Sequence, residues 1–330
     1  MDYDSRKAKI KAMTDEERMT ASIDQIYTYY GCQYTEWRIA VVKSIRKILL
    51  NLDDFYQEIL PELEYENDNR DLVQCQIRNG WFYEAVSQAE QAIEDLFSTM
   101  MNLGDMAYFA KNVIRYSASK VKSYIWDFKT DDLEYICGQF GIPYFPLDDP
   151  WEHEDVFAEY KAALLKMQRF VKELQAFHKK YYQDYCQYKH GLSVGLAPMQ
   201  NPLMKDDVER KDKLMEHPLE GGLQTFHQGT LDQYQKRTGS LPAMGLLLKS
   251  GTKANLRELL EEGNLLFFTM NVVDIDEVVR ITEQACILLN VLWKNILWRC
   301  EEKETDEFHR VAFPSTDIKH IYEIGFPKDE

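Results

Sequence analysis

Positive charge is what this chain has too little of. Its 39 Lys and Arg face 55 Asp and Glu, a formal net charge of −16 over 330 residues. That balance opposes general adhesion to a phosphate backbone, which depends on cations displacing counterions. Any nucleic-acid contact must therefore be local. No uninterrupted apolar run reaches the length of about 18 residues that marks a membrane-spanning helix. Residues 1–11 are charged with no apolar stretch behind them, so no secretory leader is expected and the cytoplasm is the expected location. Cysteine is sparse: six, at 32, 75, 137, 186, 286 and 300, with no Cys-x-x-Cys. Reduced, buried thiols are expected rather than a disulfide frame. Cys186 and His190 stand four apart, but two ligands do not make a zinc site, so no metal is expected. Gly-x-x-x-x-Gly-Lys-Ser/Thr, Gly-x-Ser-x-Gly and His-Glu-x-x-His are all missing. Gly221-Gly222 lacks the strand-to-helix context of a dinucleotide fingerprint, so no cofactor is expected.

What is present is helical periodicity. Apolar residues make up 45% and charged residues 28%, a globular composition rather than a disordered one. From Asp155 to Lys189 there is neither Gly nor Pro. Leu164, Met167, Val171, Leu174, His178, Tyr181, Tyr185 and Tyr188 recur at three- and four-residue steps, so they share one helix sector. Lys166, Arg169, Lys172, Lys179 and Lys180 fall opposite. A basic, aromatic-flanked face is one way a helix meets nucleic acid. The plainer reading is an ordinary solvated face, because Lys stems cover apolar surface. Lys166, Arg169 and Lys172 are thus binding candidates, as are Lys189 and His190 in the last turn. There, cations also meet the negative end of the helix dipole. His178, inside the apolar stripe, reads as a hydrogen-bonded core residue rather than a general base.

The rest of the chain reads as helices around this one. Residues 1–13 look like a basic, frayed lead. Thr14 and Glu17 form a capping box, and the helix they open should stop at Gly31. A second helix is expected from Thr35 to Pro61, a third from Asp71 or Trp81 to Asn102, and a fourth from Asp105 to Phe128. In the fourth, Lys111, Arg115, Lys120 and Lys122 read as a solvated face. Asp131–Phe140 should be a short helix closed by Gly141. Residues 195–252 are broken by Pro and Gly, with an exposed helix expected at Lys205–Glu216 and a strand at Leu241–Leu248. Lys253–Glu262 reads as a short helix, and Leu265–Val273 suits a buried strand that would pair with 192–196 and 241–248. Asp274 or Asp276 should cap a last helix to Arg299. That helix is apolar nearly all round, as a central helix or an oligomer interface would be. Residues 301–330 suggest a short docked element. The expected fold class is mainly α, a multi-helix bundle with a small antiparallel β element. The expected divisions are 1–61, 70–195, 196–252 and 253–330.

Two segments carry a family resemblance. Trp81-Phe82-Tyr83-Glu84-Ala85-Val86 through Ala92-Ile93-Glu94-Asp95-Leu96-Phe97 is similar to a first long helix, and the aromatic-rich helix ending Tyr188-Lys189-His190-Gly191 runs into a strand. Together, across residues 75–195, they resemble bacterial helical proteins near the HEPN superfamily. The resemblance implies a helical bundle that acts on itself as a homodimer, on a protein partner or on RNA. Many members are metal-independent RNases with an Arg, four to six residues, then a His. Arg210 and His217 have that spacing, which would make Arg210 the charge stabiliser and His217 the general acid/base. A chain with 7 His carries about one such pair by accident, and this pair lies outside the resembling helices. The first expectation is therefore a non-enzymatic intracellular interaction module. The second is a metal-independent RNase of toxin or defence type.

Overall fold

Thr14 stands extended before a helix, accepts from the Glu17 N–H (3.1 Å), and receives the Glu17 carboxylate on its own N–H (2.8 Å). Both halves of the capping box are thus made. The structure, a computed structural model, describes residues 3–33, 36–63, 70–104, 106–147, 154–190, 194–195, 217–229, 265–301, 308–315 and 321–327. The helices are α1 (Tyr3–Ala12), α2 (Asp15–Cys32), α3 (Glu36–Leu50), α4 (Leu52–Ile59), α5 (Arg70–Leu103), α6 (Phe109–Ile114), α7 (Ala118–Asp127), α8 (Leu133–Phe140), α9 (Glu154–His190) and α10 (Ile275–Glu301). The strands are β1 (Val194–Gly195), β2 (Glu220–Gly229), β3 (Leu265–Asp274), β4 (Phe308–Pro314) and β5 (Ile321–Pro327). The fold is mainly α with a small antiparallel β element, as the periodicity predicts. No helix among the described residues is long and apolar enough to cross a membrane.

Several boundaries differ from the expectation, each for a local reason. The basic lead is not frayed: residues 3–12 are helix. Helix α2 runs through Gly31 and stops at Gln33, which is extended. Asn51 divides the expected second helix, because its side-chain amide donates to the Lys47 carbonyl (2.8 Å) and diverts the chain. The expected fourth helix is also divided. After α6, Tyr116 N–H closes a tight turn on the Val113 carbonyl (3.3 Å), and extended Ser117 starts α7. Gly141 does end α8, with φ 69°, and lets Ile142 N–H reach back to the Cys137 carbonyl (2.8 Å).

The sheet differs more. Its order is β1-β2-β3, both pairings antiparallel, with Val194 opposite Thr225 and Gly221 opposite Val273. The central strand therefore lies inside the stretch expected to be irregular. The expected helices at Lys205–Glu216 and Lys253–Glu262, and the strand at Leu241–Leu248, fall outside the described residues. The docked element of the C-terminal stretch is the β4–β5 hairpin.

The described residues fall into two compact units. One comprises 40–90 and 180–280. Its core contains Val42, Ile45, Leu49, Phe82, Val86, Tyr181, Leu223, Val273 and Val278. Helix side chains bolt its sheet through main-chain groups. Arg78 donates to the carbonyls of His217 (2.9 Å) and Glu220. Tyr83 donates to the Gln224 carbonyl and Tyr181 to that of Val272 (2.8 Å). Buried Asp184 accepts from Thr225 Oγ1 and from Asn271 Nδ2 (2.6 Å). Gly221 passes so close to Phe82 that a Cβ there would overlap the ring. Glycine is needed at that point for approach, not for punctuation.

The other unit comprises 1–39, 91–179 and 281–330. Leu164, Met167, Phe170, Val171, Leu174 and Phe177 of α9 are buried in it, as are Ile93, Leu96 and Phe97 of α5. Here α10 buries Leu288, Val291, Leu292 and Trp293, so its apolar girth is used within the chain. The Asn295 side chain holds the hairpin by donating to the Ala312 carbonyl (3.2 Å) and accepting from its N–H (2.6 Å).

Candidate nucleic-acid interface

The 106–130 segment carries five cations (Lys111, Arg115, Lys120, Lys122, Lys129) and one acid (Asp127) within a chain of net −16. In the structure it also leaves aromatics in water. Tyr108 is 38% exposed, Tyr116 48% and Trp126 42%. The Lys111 ammonium lies 5.0 Å from the Tyr108 ring centre, and that of Lys122 4.4 Å from Trp126. Among the described residues Lys111, Arg115 and Lys120 meet no carboxylate, and all three are exposed.

Local structure explains why the segment stays out. In α7, Val121 and Ile125 are buried four residues apart, and Phe128 follows just past its end. Lys120, Ser123 and Trp126 then face water on the other side. Carbonyls at the C-terminal end of α7, two of which also accept from the main-chain N–H groups of Phe128 (3.4 Å) and Thr130 (3.0 Å), are met from α9. Gln175 Nε2 has two hydrogens to donate and reaches the carbonyls of Ile125 (2.7 Å), Phe128 (3.0 Å) and Trp126 (3.3 Å), the longest of these sharing a hydrogen. The clamp holds the backbone beneath Trp126, whose ring stays part-exposed beside Lys122. Beneath, Phe97 meets Phe128 edge-on (5.1 Å) and Phe128 meets Tyr135 (5.0 Å). The segment is packed below and part-exposed above. Tyr108 is tied to α2, its hydroxyl accepting from Arg18 (3.1 Å).

The sequence candidates lie elsewhere, and several are occupied. Lys172 is paired with Asp131 (2.6 Å) and Arg169 is near Glu173 (3.9 Å). Lys166 is only partly exposed, its ammonium 5.4 Å from the Phe170 ring. Lys189 is exposed and donates to the Tyr185 hydroxyl (3.4 Å). His190 ends α9, and its side chain lies outside the described residues. His217 is exposed in the turn before β2, whereas Arg210 is outside the described residues. His178 is buried, as expected. Burial, with Lys122 and Lys179 close by, pushes its pKa down to about 3, so it is neutral near pH 7.

The thiols depart in part from the expectation. All six are free, but only Cys137 and Cys286 are buried, while Cys32 is exposed. Burial pushes the Cys137 thiol up to about 11 and Cys286 up to about 12, which suppresses their thiolates. Among the described residues no group of three or more His, Cys, Asp and Glu is arranged to hold a metal ion.

The sequence held one signal for the 108–126 strip, its cation excess. Aromatic exposure was the half it did not show. No family model, curated protein or solved structure matches this chain.

Proposed function

We propose that this protein is a non-enzymatic helical module that binds single-stranded RNA along residues 108–126. One observation carries the reading: within one short segment exposed Trp126 lies beside Lys122, and Lys111, Arg115 and Lys120 meet no described carboxylate. Strands without paired partners bind where aromatic faces stack bases and nearby cations follow the phosphates. RNA is also one of the three partners that the resemblance of α5 and α9 to HEPN-like helices implies, beside a second copy and a protein. The basic face of α9 supports the reading less, because Asp131 and Glu173 partly neutralise it.

The test is fluorescence anisotropy of a labelled RNA dodecamer with the full chain. Log affinity should fall against log salt with a slope of about −2 to −3 if three or four phosphates are neutralised. Lys111→Glu with Lys120→Glu should weaken binding at least about ten-fold, and Trp126→Ala about five-fold or more. Lys172→Glu should matter little. Absence of binding at low salt overturns the RNA reading. Metal-free RNA cleavage that His217→Ala abolishes overturns the non-enzymatic one.

A further inference from the structure

A cleft of about 200 Å³ opens in the unit formed by 1–39, 91–179 and 281–330. Gln33, Trp37, Arg38, Ala92, Asp95, Cys286 and Leu289 line it. Trp37, in the first turn of α3, is 58% exposed, the most exposed large apolar side chain among the described residues. Ala92, Cys286 and Leu289 are buried and supply the apolar part of the lining. The volume is below the roughly 300 Å³ at which drug-sized pockets begin, so it suits one small ring system.

Two polar groups set the chemistry. The buried Trp293 indole N–H donates to Gln33 Oε1 (2.7 Å). An indole nitrogen only donates, so the oxygen of Gln33 must face it. The Gln33 amide nitrogen is left as the donor. Asp95 Oδ2 accepts from Arg38 Nε (2.7 Å), which leaves Oδ1 as an acceptor. Arg38 also donates to Gln91 (3.0 Å), which anchors it. Its pairing with Asp95 balances the two charges, so neither a cationic nor an anionic ligand gains much. The favoured guest is neutral and flat, with a donor and an acceptor on its edge.

We propose that this cleft binds a nucleobase-like planar heterocycle, stacked on Trp37, whose N–H meets Asp95 and whose acceptor meets the Gln33 amide. This inference does not rest on the RNA reading of the 108–126 strip, and free bases test it separately. Uracil and adenine are titrated into the full chain by ligand-observed NMR, with 1,3-dimethyluracil as the control that keeps the acceptors and loses the donors. Two hydrogen bonds and one stacked face should give roughly millimolar affinity. Binding by uracil, weakened at least about ten-fold in the dimethylated analogue, is expected, because an unmatched polar group in the site carries its desolvation cost. Gln33→Glu keeps an oxygen for Trp293 and replaces the donor by an acceptor. It should weaken binding about ten-fold or more with the thermal midpoint unchanged. Trp37→Ala, at an exposed position, should weaken it about five-fold. No binding at roughly ten times the expected dissociation constant, or binding that neither variant alters, marks a water-filled groove and overturns the proposal.

Discussion

Tyr83 and Tyr181, in the unit built from 40–90 and 180–280, bury their rings and donate their hydroxyls to strand carbonyls. Tyr108 and Trp126, in the other unit, leave their rings part-exposed beside lysines. Residue type alone does not separate them, since both sets are aromatic and carry polar tips. The difference lies in where the polar tip finds its partner. A hydroxyl bonded to a main-chain carbonyl inside the fold is spent on the fold, and burial pushes Tyr83, Tyr181 and, to about 12, Tyr56 away from ionising. A ring beside a lysine in water keeps one face for a partner.

Three measurements strain that contrast, beginning with the largest effect. Asp184→Ala removes the acceptor shared by Thr225 and Asn271 and should cost about 3 kcal/mol in urea unfolding, since two polar groups lose their partner at once. A loss below about 1 kcal/mol would mean the bolts are decorative. His178 supplies the next. Its folded pKa of about 3 lies below the ordinary 6.5. Between those values the unfolded chain holds a proton that the native chain does not. Stability is therefore complete above about pH 6.5 and falls as pH drops toward 3. By pH 5 the loss should be about 2 kcal/mol, and His178→Phe should flatten that part of the profile. An unchanged slope in the variant would assign the acid sensitivity to other groups. Last, Trp126→Ala should cost no more than about 1 kcal/mol, because Gln175 holds the backbone and much of the ring is exposed. A loss of 2 kcal/mol or so would place the ring among structural residues and remove it from the strip.

Much of the helical frame was legible in the chain. The α9 stripe from Leu164 to Tyr185 is buried where its spacing put it, and the Thr14–Glu17 box and the Gly141 stop are both present. The candidate site was half legible. The cation excess of 106–130 shows in the sequence, but a wet cationic face and a binding face look alike until the carboxylates are located. Lys172 illustrates the reverse case. It stood out as a binding candidate, and Asp131, 41 positions earlier, pairs with it. Strand β2 was missed because Gly221-Gly222 signals a break to local reasoning, while the Phe82 ring, far away in the chain, requires the bare backbone.

The sequence by itself determined the helices, their caps and the faces they bury, because these depend on groups within about four residues of one another. The tertiary structure decided which polar side chains remain for a partner. That depends on carboxylates, carbonyls and rings supplied from distant segments, as Asp184 is for Thr225 and Trp293 for Gln33. Their arrival is a property of packing, and no short-range pattern encodes it.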